Sequence, residues 1–337
     1  MEKTPLFTDA EIEEETNRLQ RQLARLNWSP EACRIYAPMT LEIHQLKKKK
    51  NAVILAHSYQ TPDIIYGVAD FVGDSYGLSV QASKTSADTI VFCGVRFMAE
   101  TAKILSPQKT VILPAPDAGC SLAESITGAD VRKLKQEHPN AGVVCYVNTN
   151  ADVKAECDVI CTSANALKIV EAMPQNEILF LPDEYMAKNI ARETEKKIIS
   201  WKGRCIVHEE FNERKIKAVK KQYPGVKILV HTECAPSVIR EADLAGGTSD
   251  MVRYAKTSDA RQFMLVTECG LSDRMRVEMP EKEFVGTCNL CPYMKRVSLS
   301  RIQQALENPQ PDQFVYVNEP IRGQAFRSLK KMLEIGS

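Results

Sequence analysis

A chain of 337 residues, 44% hydrophobic and 26% charged, has the length and composition of a globular protein with two or three cored domains. Its net charge of +1 leaves no electrostatic footprint for nucleic acid. An acidic start (Glu11, Glu13, Glu14, Glu15) and the lack of any apolar run approaching ~18 residues argue against a secretory signal and a membrane span, so a cytoplasmic chain is expected, its 11 cysteines reduced and some of them available to a metal.

In chain order, 8–26 has the spacing of an amphipathic helix capped at Thr8 or Asp9. A second helix is expected over 39–50, with Lys47 to Lys50 as its solvated end. Then come a strand at 52–57, a helix near 62–69, a short strand at 71–72, a helix from Ser75, a strand at 89–93, a helix at 98–105 and a strand at 110–113. The same order returns twice, with strands near 143–148, 158–160, 177–181 and 197–200, and near 227–231, 243–245, 262–267 and 283–285. Helices over 211–223 and 321–333 complete the chain, with no low-complexity linker. Strands alternating with helices imply parallel sheets and right-handed crossovers, with functional residues at the carboxyl ends of the strands.

Several finer markers share this period. Each repeat's first strand ends in two polar residues at i and i+2, which face one way: His57 and Tyr59, Tyr146 and Asn148, His231 and Glu233. Asp70, Asp158 and Asp243 follow at matching places, and so do the hydroxyls Ser75, Ser163 and Thr248, spaced by 88 and 85 residues. Cys120, Cys205 and Cys291 stand 85 and 86 residues apart in Gly- or Pro-containing loops, although Gly286-Thr-Cys288 imitates the Gly-Arg-Cys205 pattern and leaves the third copy open. Agreement among independent markers makes this one α/β unit used three times.

Three copies around a pseudo-threefold axis would bring three thiolates together, a set that suits a 4Fe-4S cluster with one iron left open to act as a Lewis acid. Around it, His57, Tyr59, Tyr146, His231 and Glu233 supply acid and base groups and Asn148 a positioning donor. Hydroxyls at helix starts suit phosphate or carboxylate. Plainer roles compete with these. Cys93, Cys145, Cys157 and Cys161 read as small core residues, a hydroxyl before a helix is commonly only a cap, and Cys288-Asn-Leu-Cys291 is a single CxxC. No GxGxxG, Walker A or CxxxCxxC run is present. An aconitase-like hydro-lyase and a zinc-stabilised module on Cys288 and Cys291 stand as the alternatives.

The chain resembles the quinolinate synthase family in Ala56-His-Ser-Tyr-Gln60, Val72-Gly-Asp-Ser75, Gly94 to Lys103, Ala118-Gly-Cys-Ser-Leu122, Tyr146-Val-Asn-Thr149, Cys161-Thr-Ser-Ala-Asn165, Gly203-Arg-Cys-Ile-Val-His208, His231-Thr-Glu233 and Cys291-Pro-Tyr-Met294. That resemblance implies three similar three-layer αβα domains related by pseudo-threefold symmetry, which we divide as a 1–35 helical segment and repeats at 36–140, 141–225 and 226–337. It implies condensation of iminoaspartate with dihydroxyacetone phosphate to quinolinate in de novo NAD biosynthesis. It further implies a 4Fe-4S cluster on Cys120, Cys205 and Cys291, the last selected by its Cys-Pro-aromatic ending, with Cys288 as a spectator or redox partner. His57, Tyr59, Tyr146, Asn148, His208, His231 and Glu233 fall on the family's active-site positions, and Ser75, Ser163 and Thr248 on those that hold phosphate and carboxylates. Two departures stand out: Tyr76 where many relatives have Leu, and Gly247 where some have Ser. The expected partners are iron-sulfur assembly proteins, since no sulfur-transfer domain is appended, and an aspartate oxidase or dehydrogenase supplying the labile imine.

Overall fold

The structure, a computed structural model, describes residues 6–336, so residues 1–5 and 337 of the expected end segments lie outside the described residues. Three four-stranded sheets form the scaffold. The first contains β1 (Ala52–His57), β2 (Phe71–Gly73), β3 (Thr89–Cys93) and β4 (Thr110–Ile112) in the order β2-β1-β3-β4. The second contains β5 (Gly142–Tyr146), β6 (Val159–Cys161), β7 (Glu177–Leu181) and β8 (Lys197–Ser200) in the order β6-β5-β7-β8. The third contains β9 (Lys227–His231), β10 (Leu244–Gly246), β11 (Gln262–Val266) and β12 (Glu283–Phe284) in the order β10-β9-β11-β12. Every pairing is parallel and helices flank each sheet, as the α/β reading expected. The central strands are apolar along nearly their whole length because both faces are covered.

One local device accounts for the recurring aspartates. Asp70 donates its backbone N–H to the Ile54 carbonyl (2.9 Å) and accepts the Ile54 N–H on its carboxylate (2.8 Å). Asp158 does the same with Val143 (3.1 and 2.8 Å), and Asp243 with Ile228 (2.8 and 2.8 Å). Each aspartate thus ties the entry of the second strand to the first and fixes their register. That register puts His57, Tyr146 and His231 at the last position of β1, β5 and β9.

The N-terminal helices differ from expectation at their ends. The first, Asp9–Leu23, is capped by Thr8, one of the two caps expected, in a capping box with Glu11, and its expected last residues Ala24–Leu26 tighten into a 3-10 turn. The second spans Pro30–Lys49, not 39–50, because the Ser29 side chain caps it, Pro30 fits its first turn, and it runs on through Pro38. Its basic end is only partly solvated: Lys47 is buried, donating to the Val68 carbonyl (2.8 Å) and pairing with Asp70 (2.7 Å). No helix among the described residues is long and apolar enough to cross a membrane.

Replacing Asp158 by Ala should lower the unfolding free energy by about 1 kcal/mol, with Asp158→Asn losing less because it keeps an acceptor for the Val143 N–H. Urea denaturation of the two variants checks this; equal losses would place the effect elsewhere.

Candidate active site and metal centre

Three loops reach the same place by the same backbone contact. In each repeat the first residue of the helix after the third strand donates its N–H to a carbonyl two positions before a cysteine: Arg96 to Ala118 (2.8 Å), Glu184 to Gly203 (2.9 Å) and Cys269 to Asn289 (3.1 Å). The carbonyls of Cys120, Cys205 and Cys291 then accept from Glu124, Glu209 and Lys295 four residues on (2.9, 3.0 and 3.1 Å). Each cysteine therefore opens one tight turn, and the third member of the set is Cys291. All three line a single cavity. Of the nine free cysteines among the described residues, these three alone are partly exposed, while Cys93, Cys145, Cys157 and Cys161 are core residues as expected.

Cys288 is otherwise engaged. It forms a disulfide with Cys269, which overturns both its pairing with Cys291 and a zinc module on those two residues, and departs from the expectation of thiols alone. The bond joins the start of the helix Cys269–Glu278 to the loop before Cys291, beside the Cys269–Asn289 contact.

The polar pairs meet over the same cavity, lined by His57, Tyr59, Tyr146, Asn148, His208, His231 and Glu233. Glu233 is 3% exposed, and its carboxylate accepts from the Tyr146 hydroxyl (2.5 Å), His208 Nδ1 (2.8 Å) and Asn148 Nδ2 (3.4 Å). Burial by itself would raise its pKa; the histidine and tyrosine donors outweigh that and hold the carboxyl well below the usual range. The His208 and His231 rings stack at 4.5 Å. His57 and His231 both accept the backbone N–H two residues ahead on Nδ1 (3.2 and 3.3 Å), which leaves Nε2 to carry the proton of the neutral ring. Burial pushes their pKa values down to about 4 and about 3, so near neutral pH both act as uncharged donors, not imidazolium acids. Burial, reinforced by Glu233, raises the phenols of Tyr59 and Tyr146.

Ser75, Ser163 and Thr248 also face this cavity. Ser75 and Thr248 are the first residues of the helices Ser75–Lys84 and Thr248–Thr257, whereas Ser163 lies in the turn before Ala166–Ala172. Gly247 has a spatial reason: a Cβ there would sit 2.5 Å from Ser163 Oγ, so its lack of a side chain lets the second and third repeats close. Tyr76 lines the cavity too.

Sequence reading missed Glu268, Lys295 and Thr267. Glu268, fully buried, accepts the Cys291 N–H (3.1 Å) and pairs with Lys295 (2.9 Å), which donates to the Tyr59 carbonyl (2.5 Å). Thr267 bonds Tyr59 and His208. A signal was available, since Asp183 and Glu268 are 85 residues apart, the cysteine spacing.

Two donor sets can hold metal here. The Cys205, His208 and Glu233 ligand atoms lie within 4.8 Å of one another. The three partly exposed thiols offer soft sulfur ligands and no fourth, which fits an iron-sulfur cluster with a free iron. Burial raises all three thiols, Cys120 to about 12, so metal binding must displace their protons.

Comparison with known proteins bears on the chemistry. The family described as "Quinolinate synthetase A protein" matches residues 41–334. The quinolinate synthase of Sinorhizobium fredii is 50% identical over 300 residues, covering 89% of this chain and 83% of the relative. That of Xylella fastidiosa (strain Temecula1) is 50% identical over 309 residues, covering 91% of each, and that of Caulobacter vibrioides is 44% identical over 333 residues, covering 96% of this chain and 89% of the relative.

The two neutral histidines set a pH dependence for the metal-free protein. Their pKa values are lower folded than unfolded, so the unfolded chain binds more protons as pH falls, and stability present above about 6.5 should drain away toward pH 4. Urea midpoints across that range should fall, and His57→Gln should flatten the fall; a level profile in the parent would contradict the assignment.

Proposed function

We propose, on the premise that this chain belongs to the quinolinate synthetase A family, that it condenses iminoaspartate with dihydroxyacetone phosphate, giving quinolinate, inorganic phosphate and two waters. Members of that family are enzymes of NAD biosynthesis, and this chain is one. The observation that carries the finer reading is the meeting of one partly exposed thiol from each repeat with a ring of acid, base and hydroxyl groups on one cavity. Cys120, Cys205 and Cys291 would hold a 4Fe-4S cluster, whose iron without a protein ligand supplies Lewis acidity for loss of water.

The protein's own groups divide the remaining work. Ser75 and Thr248, at the starts of ten-residue helices, and Ser163 present hydroxyls and backbone N–H groups to phosphate and carboxylates. Glu233, ionised and buried at the cavity wall, is the group we assign to take a proton from carbon during isomerisation and to return it at ring closure. Tyr146 stays hydrogen-bonded to that carboxylate and orients it. Tyr59, whose raised pKa keeps it protonated and whose O–H is directed at Thr267, offers its phenol oxygen as an acceptor to a substrate O–H or N–H. His57 and His231 donate from Nε2 without adding charge, and His208 orients Glu233. Asn148 Oδ1 is buried and unpartnered among the described residues, an acceptor free for a substrate N–H or O–H. We further assign 1–35 to a helical lead segment and 36–140, 141–225 and 226–337 to the three repeats. Iron-sulfur assembly proteins and an aspartate oxidase or dehydrogenase are its proposed partners.

Anaerobic reconstitution followed by iron and sulfide analysis, an absorption spectrum and a quinolinate assay tests the reading. A brown protein forming quinolinate and phosphate in equal amounts is expected; an iron-free chain, or a brown one inert on these substrates, would overturn it. Cys291→Ser should lose the cluster, whereas Cys288→Ser should keep its iron. Glu233→Gln should retain iron and lose at least about a hundredfold in kcat, the scale of a removed general base. Tyr59→Phe should likewise stay brown with most activity gone.

A further inference from the structure

Thr267 lies just past β11 with no exposed surface and does not line the cavity. Its Oγ1 is nevertheless 2.7 Å from the Tyr59 hydroxyl and 2.9 Å from His208 Nε2. These partners come from the first and second repeats, and Thr267 from the third. In the first two repeats the residue just past the third strand is Gly94 and Pro182, neither of which has a side chain that can hydrogen-bond. The scaffold is repeated three times, and a hydroxyl is placed at this point in one copy only.

From this geometry we infer that Thr267 is a positioning residue for the reaction, whose single hydroxyl sets the direction of the Tyr59 O–H and the plane of the His208 ring together. The inference rests on the proposed quinolinate-forming reading. His208 Nδ1 donates to Glu233 (2.8 Å), so with the imidazole proton there Nε2 is an acceptor. Thr267 must then donate to Nε2 and accept from Tyr59, which fixes both hydroxyl rotors. Apart from an edge-on contact with the His57 ring, centroids 4.5 Å apart, Tyr59 is otherwise anchored through its backbone: Lys295 donates to its carbonyl (2.5 Å), and a Cβ on Gly270 would come within 2.8 Å of its backbone atoms. The far end of the ring, where the chemistry is assigned, is aimed by Thr267.

Three substitutions test this. Thr267→Val keeps the shape and removes the hydroxyl; it should lower kcat by about ten- to a hundredfold, the cost of a misaimed group, with KM, iron content and melting temperature near the parent's. Thr267→Ser should restore kcat to within about threefold of the parent, since its hydroxyl reaches the same partners. In a Tyr59→Phe background, Thr267→Val should cost little more, because its principal target is gone. Parent-like turnover by Thr267→Val, equal losses in the Val and Ser variants, or fully additive effects with Tyr59→Phe would each overturn the inference. Histidine ¹⁵N NMR of the metal-free protein separates this from failure of the wider reading. Thr267→Val should shift the His208 Nε2 resonance and Thr267→Ser should not, whatever the parent turns over; an unmoved resonance in the Val variant would also defeat the inference.

Discussion

A carboxylate buried as deeply as that of Glu233 carries a desolvation cost of several kcal/mol, and the arrangement of the cavity follows from meeting it. The donors that offset this cost come from other parts of the chain: Tyr146 at the end of β5 and Asn148 just beyond it, and His208 in the loop after Cys205. His208 is then engaged on its far side by Thr267, which in turn holds Tyr59 at the end of the first repeat's leading strand. One charge thus draws side chains from all three sheets into a single hydrogen-bonded series. Taking away a donor would leave the charge uncompensated, so these residues bind the repeats together as well as facing the cavity.

Backbone and side chains play different parts in the symmetry. The backbone contacts are repeated almost unchanged: aspartate to leading strand, helix start to the carbonyl before each cysteine, cysteine carbonyl to the fourth residue on. They deliver three thiols and three polar pairs to equivalent places. The side chains then diverge, with His and Tyr in one copy, Tyr and Asn in the next, His and Glu in the third. Only the third pair contains an acid, so the three pairs are chemically unequal despite their near-symmetric frame, and the cavity's other carboxylate, Asp74, comes from a helix cap of the first repeat. Gly247 shows the same division, giving up its side chain so that Ser163 can fill the space.

Much of this was legible in the sequence because it repeats. Strand positions, the polar pairs and the cysteine loops recur every 85 to 90 residues, as one α/β unit used three times would place them, and residues sharing a period share a place. Features joining one repeat to another were less legible. Thr267 looks like an ordinary strand-end threonine until Tyr59 and His208 are seen beside it, and they are 208 and 59 residues away along the chain. The ambiguity between Cys288 and Cys291 was of the same kind: the local Gly-x-Cys pattern favours one, while the turn geometry after Asn289 selects the other. Lys47 was misread because its charge is neutralised by Asp70, far along the sequence from the lysine run that appeared to explain it.

The last helix, Ile321–Gly336, packs onto the second repeat, where Ser328 donates to the carbonyl of Lys154 (2.8 Å). The buried ammonium of Lys154 holds the carbonyls of Val147 and Thr149, on either side of Asn148. The segment after β5 is therefore secured by a helix residue 174 positions further along the chain, and the turn opened by Cys291 also follows it in sequence. A chain holding only the first two repeats would have neither the Cys291 turn nor a braced Tyr146-to-Asn148 segment, so this cavity can form only once the third repeat and the last helix have been made.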